Sequence, residues 1–238
     1  MTRVNDLSVK IFADGADLAG MLEMYPLQHI KGFTTNHTLM RKAGITDYAA
    51  FARDVLRAIP DRPISFEVFS DEFAEMERQA HLIASLGENV YVKIPVTNTR
   101  QEPSYDLVSR LARSGVKLNV TALLSLGQVR DVVQAVRGGA PCYISVFAGR
   151  VADTGRDPVP LMTAAVEMLK LAPNAELIWA SPRELLNIFQ ADEIGCHIIT
   201  VTNDILKKLS TVWRDLDEYS LDTVKMFYAD AQRAGFRL

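Results

Sequence analysis

Short apolar runs alternate along this chain with longer runs in which apolar residues recur every three or four positions. The short runs are rich in β-branched and aromatic residues and predict eight strands, at 9–14, 30–35, 63–68, 90–96, 117–123, 142–148, 176–181 and 197–202. Several of the longer runs are followed by a glycine, for example Gly87, Gly115 and Gly195, which is common where helices end. The pattern therefore predicts eight repeats of a strand and an amphipathic helix.

Repeated strand and helix units predict an α/β fold with parallel strands, because a parallel neighbour is reached only through a crossover segment. The strands are nearly continuous in apolar residues, which is typical of a sheet covered on both faces. Eight units of roughly 25–30 residues fit a closed (β/α)8 barrel, or TIM barrel, better than an open doubly wound sheet. No GxGxxG follows the first strand and no GxxxxGK[ST] occurs, so the open nucleotide-binding sheets lack their usual sequence support.

The chain is predicted to form one domain over residues 1–238, since no linker or low-complexity segment divides it. Two helical runs follow the eighth strand, at 203–210 and 221–235. The second is one helix more than a closed barrel needs. We expect it to cap the barrel or to contact a neighbouring subunit.

Composition narrows the class of protein further. Hydrophobic residues make up 48% of the chain, and 26 Lys and Arg against 29 Asp and Glu give a formal charge of −3, which argues against a nucleic-acid partner. Uncharged runs such as 118–129 and 138–149 fall short of the ~18 residues of a membrane helix, and the N-terminus lacks a signal-peptide pattern. The two cysteines show no ligand spacing, so a cytoplasmic protein without disulfides or zinc is expected.

Candidate chemistry lies where polar residues interrupt or follow the apolar runs, because the loops after the strands carry the active site of a barrel of this kind. These residues are Asp14, Asn36, Glu67, Lys93, Asn119, Thr121, Ser145, Arg150, Ser181 and Arg183. All of them are predicted to point to one rim.

Lys93 is the sharpest feature, because it is the only charge in the apolar run VYVKIPV. A buried ammonium must find an anion or lose its proton. A neutral lysine amine can attack a carbonyl and form a Schiff base. The alternatives are a structural ion pair, for which Glu67 is available, and a strand end exposed to solvent.

The other charged candidates are also open to two interpretations. Asp14 and Glu67 can act as general acid or base, or serve as a helix cap or an ion-pair partner. Arg150 and Arg183, with the hydroxyl of Ser181, can bind a phosphate, or the arginines can be ordinary surface residues. The four histidines form no HxH or HExxH motif, so no metal is expected.

Together these residues lie in segments that resemble the transaldolase family in its short form. The resemblance covers residues 9–235 and rests on IFADGAD, GFTTN, SFEV, VKIPVT, LNVTALLS, ISVFAGR and ASPR, which occur in the family's order at barrel spacing. The resemblance implies a (β/α)8 fold and transfer of a dihydroxyacetone unit from a ketose phosphate, such as fructose 6-phosphate or sedoheptulose 7-phosphate, to an aldose phosphate. It also implies a homo-oligomer, a pentamer or decamer, with helix 221–235 in the assembly.

The same resemblance implies a role for each candidate. Lys93 would form the Schiff base, Asp14 would take the C4 hydroxyl proton, and Glu67 would move protons together with Thr121 and a water molecule. The implied substrate-binding residues are Asn36, Asn119, Ser145 and Phe147 at the dihydroxyacetone unit and Arg150, Ser181 and Arg183 at the phosphate. The resemblance implies no cofactor and no metal, because the imine polarises the substrate.

Two alternatives within the enzyme class remain. Fructose-6-phosphate aldolases resemble this chain but typically carry glutamine where Glu67 stands and tyrosine where Phe147 stands, which favours transfer over release of free dihydroxyacetone. His37, Val146, Trp179 and Pro182 depart from the family pattern or are unusual for it, so a sulfonated or otherwise modified ketose is a further alternative. A non-catalytic sugar-phosphate-binding barrel is a more remote one.

Overall fold

The computed structural model describes residues 4–237 and contains a closed barrel of parallel strands in chain order, with the eighth strand paired to the first. The strands within the described residues are β1 Lys10–Asp14, β2 Ile30–Thr34, β3 Ile64–Glu67, β4 Val90–Pro95, β5 Leu118–Leu123, β6 Cys142–Val146, β7 Ala175–Trp179 and β8 Ile198–Thr202. The predicted (β/α)8 fold and all eight predicted strands are confirmed, with ends that differ by at most two residues.

Helices connect the strands and surround the barrel. They are α1 Leu18–Met24, α2 His37–Lys42, α3 Tyr48–Ala58, α4 Phe73–Ala84, α5 Tyr105–Arg113, α6 Leu126–Val136, α7 Ala148–Ala152, α8 Val159–Leu169, α9 Leu186–Glu193, α10 Asn203–Leu206 and α11 Leu216–Ala234. Short 3-10 helices cover Val4–Asp6 and Lys207–Thr211. The β2–β3 and β6–β7 connections each contain two helices, where one helix per connection is the simplest expectation.

The main hydrophobic core lies between the barrel and its helices. Strand residues such as Ile64, Val92 and Leu177 pack there against helix residues such as Val55 and Met162. Because successive side chains of a strand point to opposite faces, the alternate residues of each strand point into the barrel.

An aromatic layer fills the barrel interior beneath the candidate site. Phe12 and Tyr143 meet edge to face with ring centroids 5.6 Å apart, and Tyr91 stacks on Tyr143 at 3.9 Å. Each of these residues lies two positions before a polar candidate, so Asp14, Lys93 and Ser145 point into the same interior one layer higher. The candidate residues therefore lie above this aromatic layer, toward the carboxyl ends of the strands.

The additional C-terminal helix is present but longer than predicted. It begins at Leu216 and not at 221, because Asp215 caps its first turn by accepting hydrogen bonds from the main-chain nitrogens of Asp217 and Glu218. None of its described residues is buried in the single chain. Within residues 4–237, no helix has the length and apolar character needed to cross a bilayer.

Candidate active site

The eleven candidate residues all line one cavity of about 670 Å³ at the carboxyl ends of the strands. Strand register explains part of this convergence: Glu67 lies beside Lys93, and Lys93 lies beside Asn119, on three consecutive strands. The cavity therefore brings together residues that are up to 169 positions apart in the chain, from Asp14 to Arg183.

Lys93 lies at the base of the cavity. Its side chain is 8% exposed, which excludes the interpretation as a solvent-exposed strand end. Nζ donates a hydrogen bond to the main-chain oxygen of Thr35 at 2.8 Å and lies 3.5 Å from Oε2 of Glu67. The ion pair considered from sequence is thus present, and the same amine faces a cavity that can admit a carbonyl substrate.

Asp14 stands on β1 and lines the same cavity. Burial raises the pKa of its carboxyl group; the charge of Lys93 and a hydrogen bond from Thr34 oppose this shift, and Glu67 adds to it. The Thr34 hydroxyl donates to Asp14 Oδ1 at 2.8 Å and also contacts the Thr200 hydroxyl. Asp14 is therefore a recessed carboxyl group that binds a proton more readily than an exposed aspartate does.

A row of hydrogen bonds crosses the cavity wall next to Lys93. Ser145 Oγ donates to Asn119 Oδ1 at 2.7 Å, and Asn119 Nδ2 donates to Ser65 Oγ at 3.0 Å. The Oγ1 atom of Thr121 is buried, and among the described residues nothing forms a hydrogen bond to it. Thr121 thus has an uncommitted hydroxyl group at the cavity.

The backbone next to Thr121 is irregular. Ala122 has φ +66°, and the pairing of β5 with β6 shifts register between Val120 and Leu123. A left-handed conformation at a residue other than glycine is uncommon, and such residues often lie at functional sites.

Asn36 has a structural role that the sequence did not reveal. Its Oδ1 accepts a hydrogen bond from the main-chain nitrogen of Leu39 at 2.9 Å and caps α2. The amide nitrogen is the part of this side chain that is left for a ligand.

The two arginines line the same cavity and are held in different ways. The Arg150 guanidinium lies 5.6 Å from the centroid of the Phe147 ring. Arg183 forms a two-point contact with Asp153, with Nε 2.9 Å from Oδ1 and Nη2 bonded to Oδ2. These hydrogen bonds lower the pKa of Asp153 and raise that of Arg183.

Gly149 allows the two arginine segments to meet. A Cβ atom on Gly149 would lie 1.6 Å from the main-chain oxygen of Ser181 and 3.3 Å from Nε of Arg183. Ser181 itself has φ +60°. The loop after β7 therefore packs directly against the first turn of α7 only because position 149 has no side chain.

Several residues at or beside the cavity had no role assigned from sequence. Thr200 interrupts an apolar run just as Lys93 does, so the same signal marks it. Asp153 gives no sequence signal, because its partner Arg183 is 30 residues away. His37 lines the cavity, and its Nε2 is buried with no hydrogen-bond partner in the described part of the chain.

The described residues contain no group of three His, Cys, Asp or Glu side chains arranged to hold a metal ion. The polar groups that line the cavity are carboxyl, amine, amide, hydroxyl, guanidinium and imidazole groups. This set can transfer protons, attack a carbonyl and bind an anion.

Two solved structures with a similar fold are distant from this chain in sequence. An HpcH/HpaI aldolase/citrate lyase family protein from Burkholderia cenocepacia has a TM-score of 0.59 at 13% identity, covering 92% of this chain and 95% of that chain. The 3-hexulose-6-phosphate synthase from Salmonella typhimurium has a TM-score of 0.56 at 14% identity, covering 84% and 91%. At these identities the similarity shows the barrel fold alone.

Sequence comparison is more specific. A probable transaldolase from Dehalococcoides mccartyi is 33% identical over 202 residues, 84% of this chain and 90% of that protein. A probable transaldolase from Thermoanaerobacter sp. is 31% identical over 231 residues, 97% of this chain and all of that protein. The family model described as transaldolase/fructose-6-phosphate aldolase matches residues 11–238. The chain therefore belongs to the transaldolase/fructose-6-phosphate aldolase family.

Proposed function

We propose that this protein is a transaldolase that moves a dihydroxyacetone unit from a ketose phosphate, such as fructose 6-phosphate or sedoheptulose 7-phosphate, to an aldose phosphate through a Schiff base on Lys93. The observation that carries the proposal is the buried Lys93 amine, 3.5 Å from the Glu67 carboxylate, at the base of a cavity that also contains Asp14. The family and its probable transaldolases support the same reaction.

The first half of the reaction forms the covalent intermediate. Once Glu67 has taken a proton from the Lys93 ammonium group, the amine adds to the C2 carbonyl of the donor, and the carbinolamine loses water to give an iminium ion. Glu67 takes the proton from the amine and supplies one to the departing hydroxyl, through a water molecule held by the free Thr121 hydroxyl.

The second half breaks and remakes a carbon–carbon bond. Asp14 takes the proton of the C4 hydroxyl, the C3–C4 bond breaks, and its electron pair flows into the iminium ion to give an enamine. The shortened aldose leaves, and C3 of the enamine attacks the aldehyde of the acceptor. Asp14 returns its proton to the new hydroxyl, and water releases the product from Lys93. The raised pKa of Asp14 suits a group that must both accept and donate this proton.

The rest of the cavity orients the substrate. Asn36, Asn119 and Ser145 hold the hydroxyl groups of the three-carbon unit, and Phe147 packs beside them. Arg150, Ser181 and Arg183 bind the terminal anion, which is a phosphate or a sulfonate, since both present a tetrahedral array of oxygens.

Borohydride trapping tests the nucleophile. Incubation with fructose 6-phosphate and sodium borohydride should reduce the iminium ion and leave the donor sugar or its retained three-carbon unit irreversibly attached to the peptide that contains Lys93. Lys93→Ala should abolish the adduct. Lys10→Ala is the matched control, because Lys10 is also a strand lysine paired with a glutamate, Glu176, at the opposite end of the barrel. An adduct that persists in Lys93→Ala disproves the assignment.

The choice between transaldolase and aldolase depends on the acceptor. A transaldolase retains the enamine until an aldehyde arrives, so product formation should require an aldose phosphate acceptor. Glu67→Gln should raise the release of free dihydroxyacetone relative to transfer, because the fructose-6-phosphate aldolases that resemble this chain typically carry glutamine at this position. If the ratio does not change, Glu67 does not select transfer.

We also propose that the protein is a homo-oligomer, a pentamer or decamer, in which a neighbouring copy covers α11. Leu216, Val224, Phe227 and Tyr228 on this helix are exposed in the single chain. Size-exclusion chromatography with light scattering should give an oligomer mass, and Phe227→Asp should lower it. A monomeric parent protein disproves the proposal.

A further inference from the structure

Asp153 contacts the candidate anion site without lining its cavity. It accepts two hydrogen bonds from Arg183, a residue that does line the cavity. The guanidinium has five N–H donors in a fixed plane. Asp153 occupies two of them, on the Nε and Nη2 edge, and three N–H groups remain for a ligand.

The local fold places Asp153 where it can hold this arginine. Asp153 is the C-cap residue directly after α7 and lies three positions after Arg150, so both lie on the same side of one helical turn. One turn of helix therefore carries one arginine of the anion site and the carboxylate that holds the other. The contact of Gly149 with Ser181 keeps the turn and the Arg183 loop together.

The ion pair between Arg183 and Asp153 contributes little to the stability of the fold. The side chains of Arg183 and Asp153 are 46% and 52% exposed, and ion pairs as exposed as this contribute little to folding. A flexible arginine, however, loses conformational entropy when it binds an anion, and a pair formed beforehand reduces that loss.

We propose that Asp153 is a positioning residue for the terminal anion of the substrate, acting through Arg183. The proposal rests on the proposed function for the identity of the substrate, but binding of an anion to Arg183 can be measured without any reaction. Without Asp153, the Arg183 guanidinium must be ordered at the moment of binding. We expect the affinity for the anion to fall roughly three- to tenfold.

Removing Asp153 has a second effect of the opposite sign. The carboxylate repels a bound anion, so its loss alone should tighten binding. This effect is screened by salt, and the Debye length falls from about 8 Å at physiological ionic strength toward about 3 Å at 1 M. The positioning effect depends on geometry and persists in salt. Measurements at 0.5 M sodium chloride therefore separate the two effects.

The direct test is a ³¹P NMR titration of inorganic phosphate against the full chain in 0.5 M sodium chloride. Asp153→Asn and Asp153→Ala should raise the Kd three- to tenfold. Glu77→Gln is the matched control, because Glu77 accepts the same two-point contact from Arg110 on the outer face of α4 and α5, and its Kd should equal that of the parent. An unchanged or lower Kd in either Asp153 variant overturns the proposal.

Steady-state kinetics distinguish a positioning role of Asp153 from a purely structural one. Both Asp153 variants should raise KM for fructose 6-phosphate while leaving kcat within about twofold, and fructose, which lacks the phosphate, should react as with the parent. An equal loss with both sugars overturns the proposal. If no variant or parent reacts with either sugar, the proposed function fails, and the phosphate titration still decides the role of Asp153.

Discussion

Gly149→Ala should disrupt the anion end of the cavity by moving the main chain. The new Cβ would lie 1.6 Å from the Ser181 oxygen and 2.7 Å from its carbonyl carbon, whereas real Cβ contacts are essentially never below 3.0 Å. The distance between the oxygen and the Cβ must therefore increase by at least 1.4 Å, from 1.6 to 3.0 Å. The obstacle is backbone, so no side-chain rotation relieves the clash.

The cost follows from two opposing effects. Overpacking of this kind costs about 3 kcal/mol at the upper end of its usual range. Replacing glycine by alanine within a helix stabilises the helix by about 1 kcal/mol. We expect the free energy of unfolding to fall by about 2 kcal/mol. The KM for phosphorylated donors should rise at least tenfold, because Ser181 and Arg183 move with the loop.

Gly127→Ala is a matched control for this substitution. Gly127 is the second residue of α6, as Gly149 is of α7, but its added Cβ would meet only Ser125 Oγ at 3.9 Å. This variant should be as stable as the parent or slightly more stable, with an unchanged KM. Urea unfolding and steady-state kinetics measure both quantities. A Gly149→Ala protein that matches the parent in stability and KM would refute the reasoning.

Three further substitutions test other parts of the structure. Asp14→Asn should abolish cleavage of the donor yet raise the free energy of unfolding at pH 7. Burial raises the pKa of Asp14 in the folded state, so its contribution to stability is present at low pH and is lost as the pH rises through that pKa. The uncharged asparagine does not lose this contribution. The difference in free energy of unfolding between this variant and the parent should vanish below about pH 4. If urea unfolding gives the same difference at every pH, the expected pH dependence is wrong. Ser125→Ala removes the capping box formed with Gln128 and should cost about 1 kcal/mol in the same assay. Gly32→Ala places a Cβ 2.6 Å from Phe12 Cζ in the barrel floor and should cost about 1–3 kcal/mol, whereas equal stability would mean that the ring moves freely.

The sequence alone was sufficient for the barrel and for the charged and amide candidates that line the cavity. Strand–helix alternation specifies parallel pairing, because only a crossover reaches a parallel neighbour. Polar residues within apolar strands, such as Lys93 and Asn119, are costly unless they meet partners or a cavity, so their presence marked the site. The roles proposed for these residues come from the resemblance to the family.

The tertiary structure decided which partners these residues meet. Thr34 donates a hydrogen bond to Asp14, the side-chain oxygen of Asn36 caps a helix, and Asp153 accepts hydrogen bonds from an arginine 30 residues away. The close approach of Gly149 to Ser181 likewise appears only in space. Periodicity reports which face a side chain occupies, because that depends on its own strand or helix. It does not report distances between loops, which depend on how the connections after β6 and β7 pack against each other.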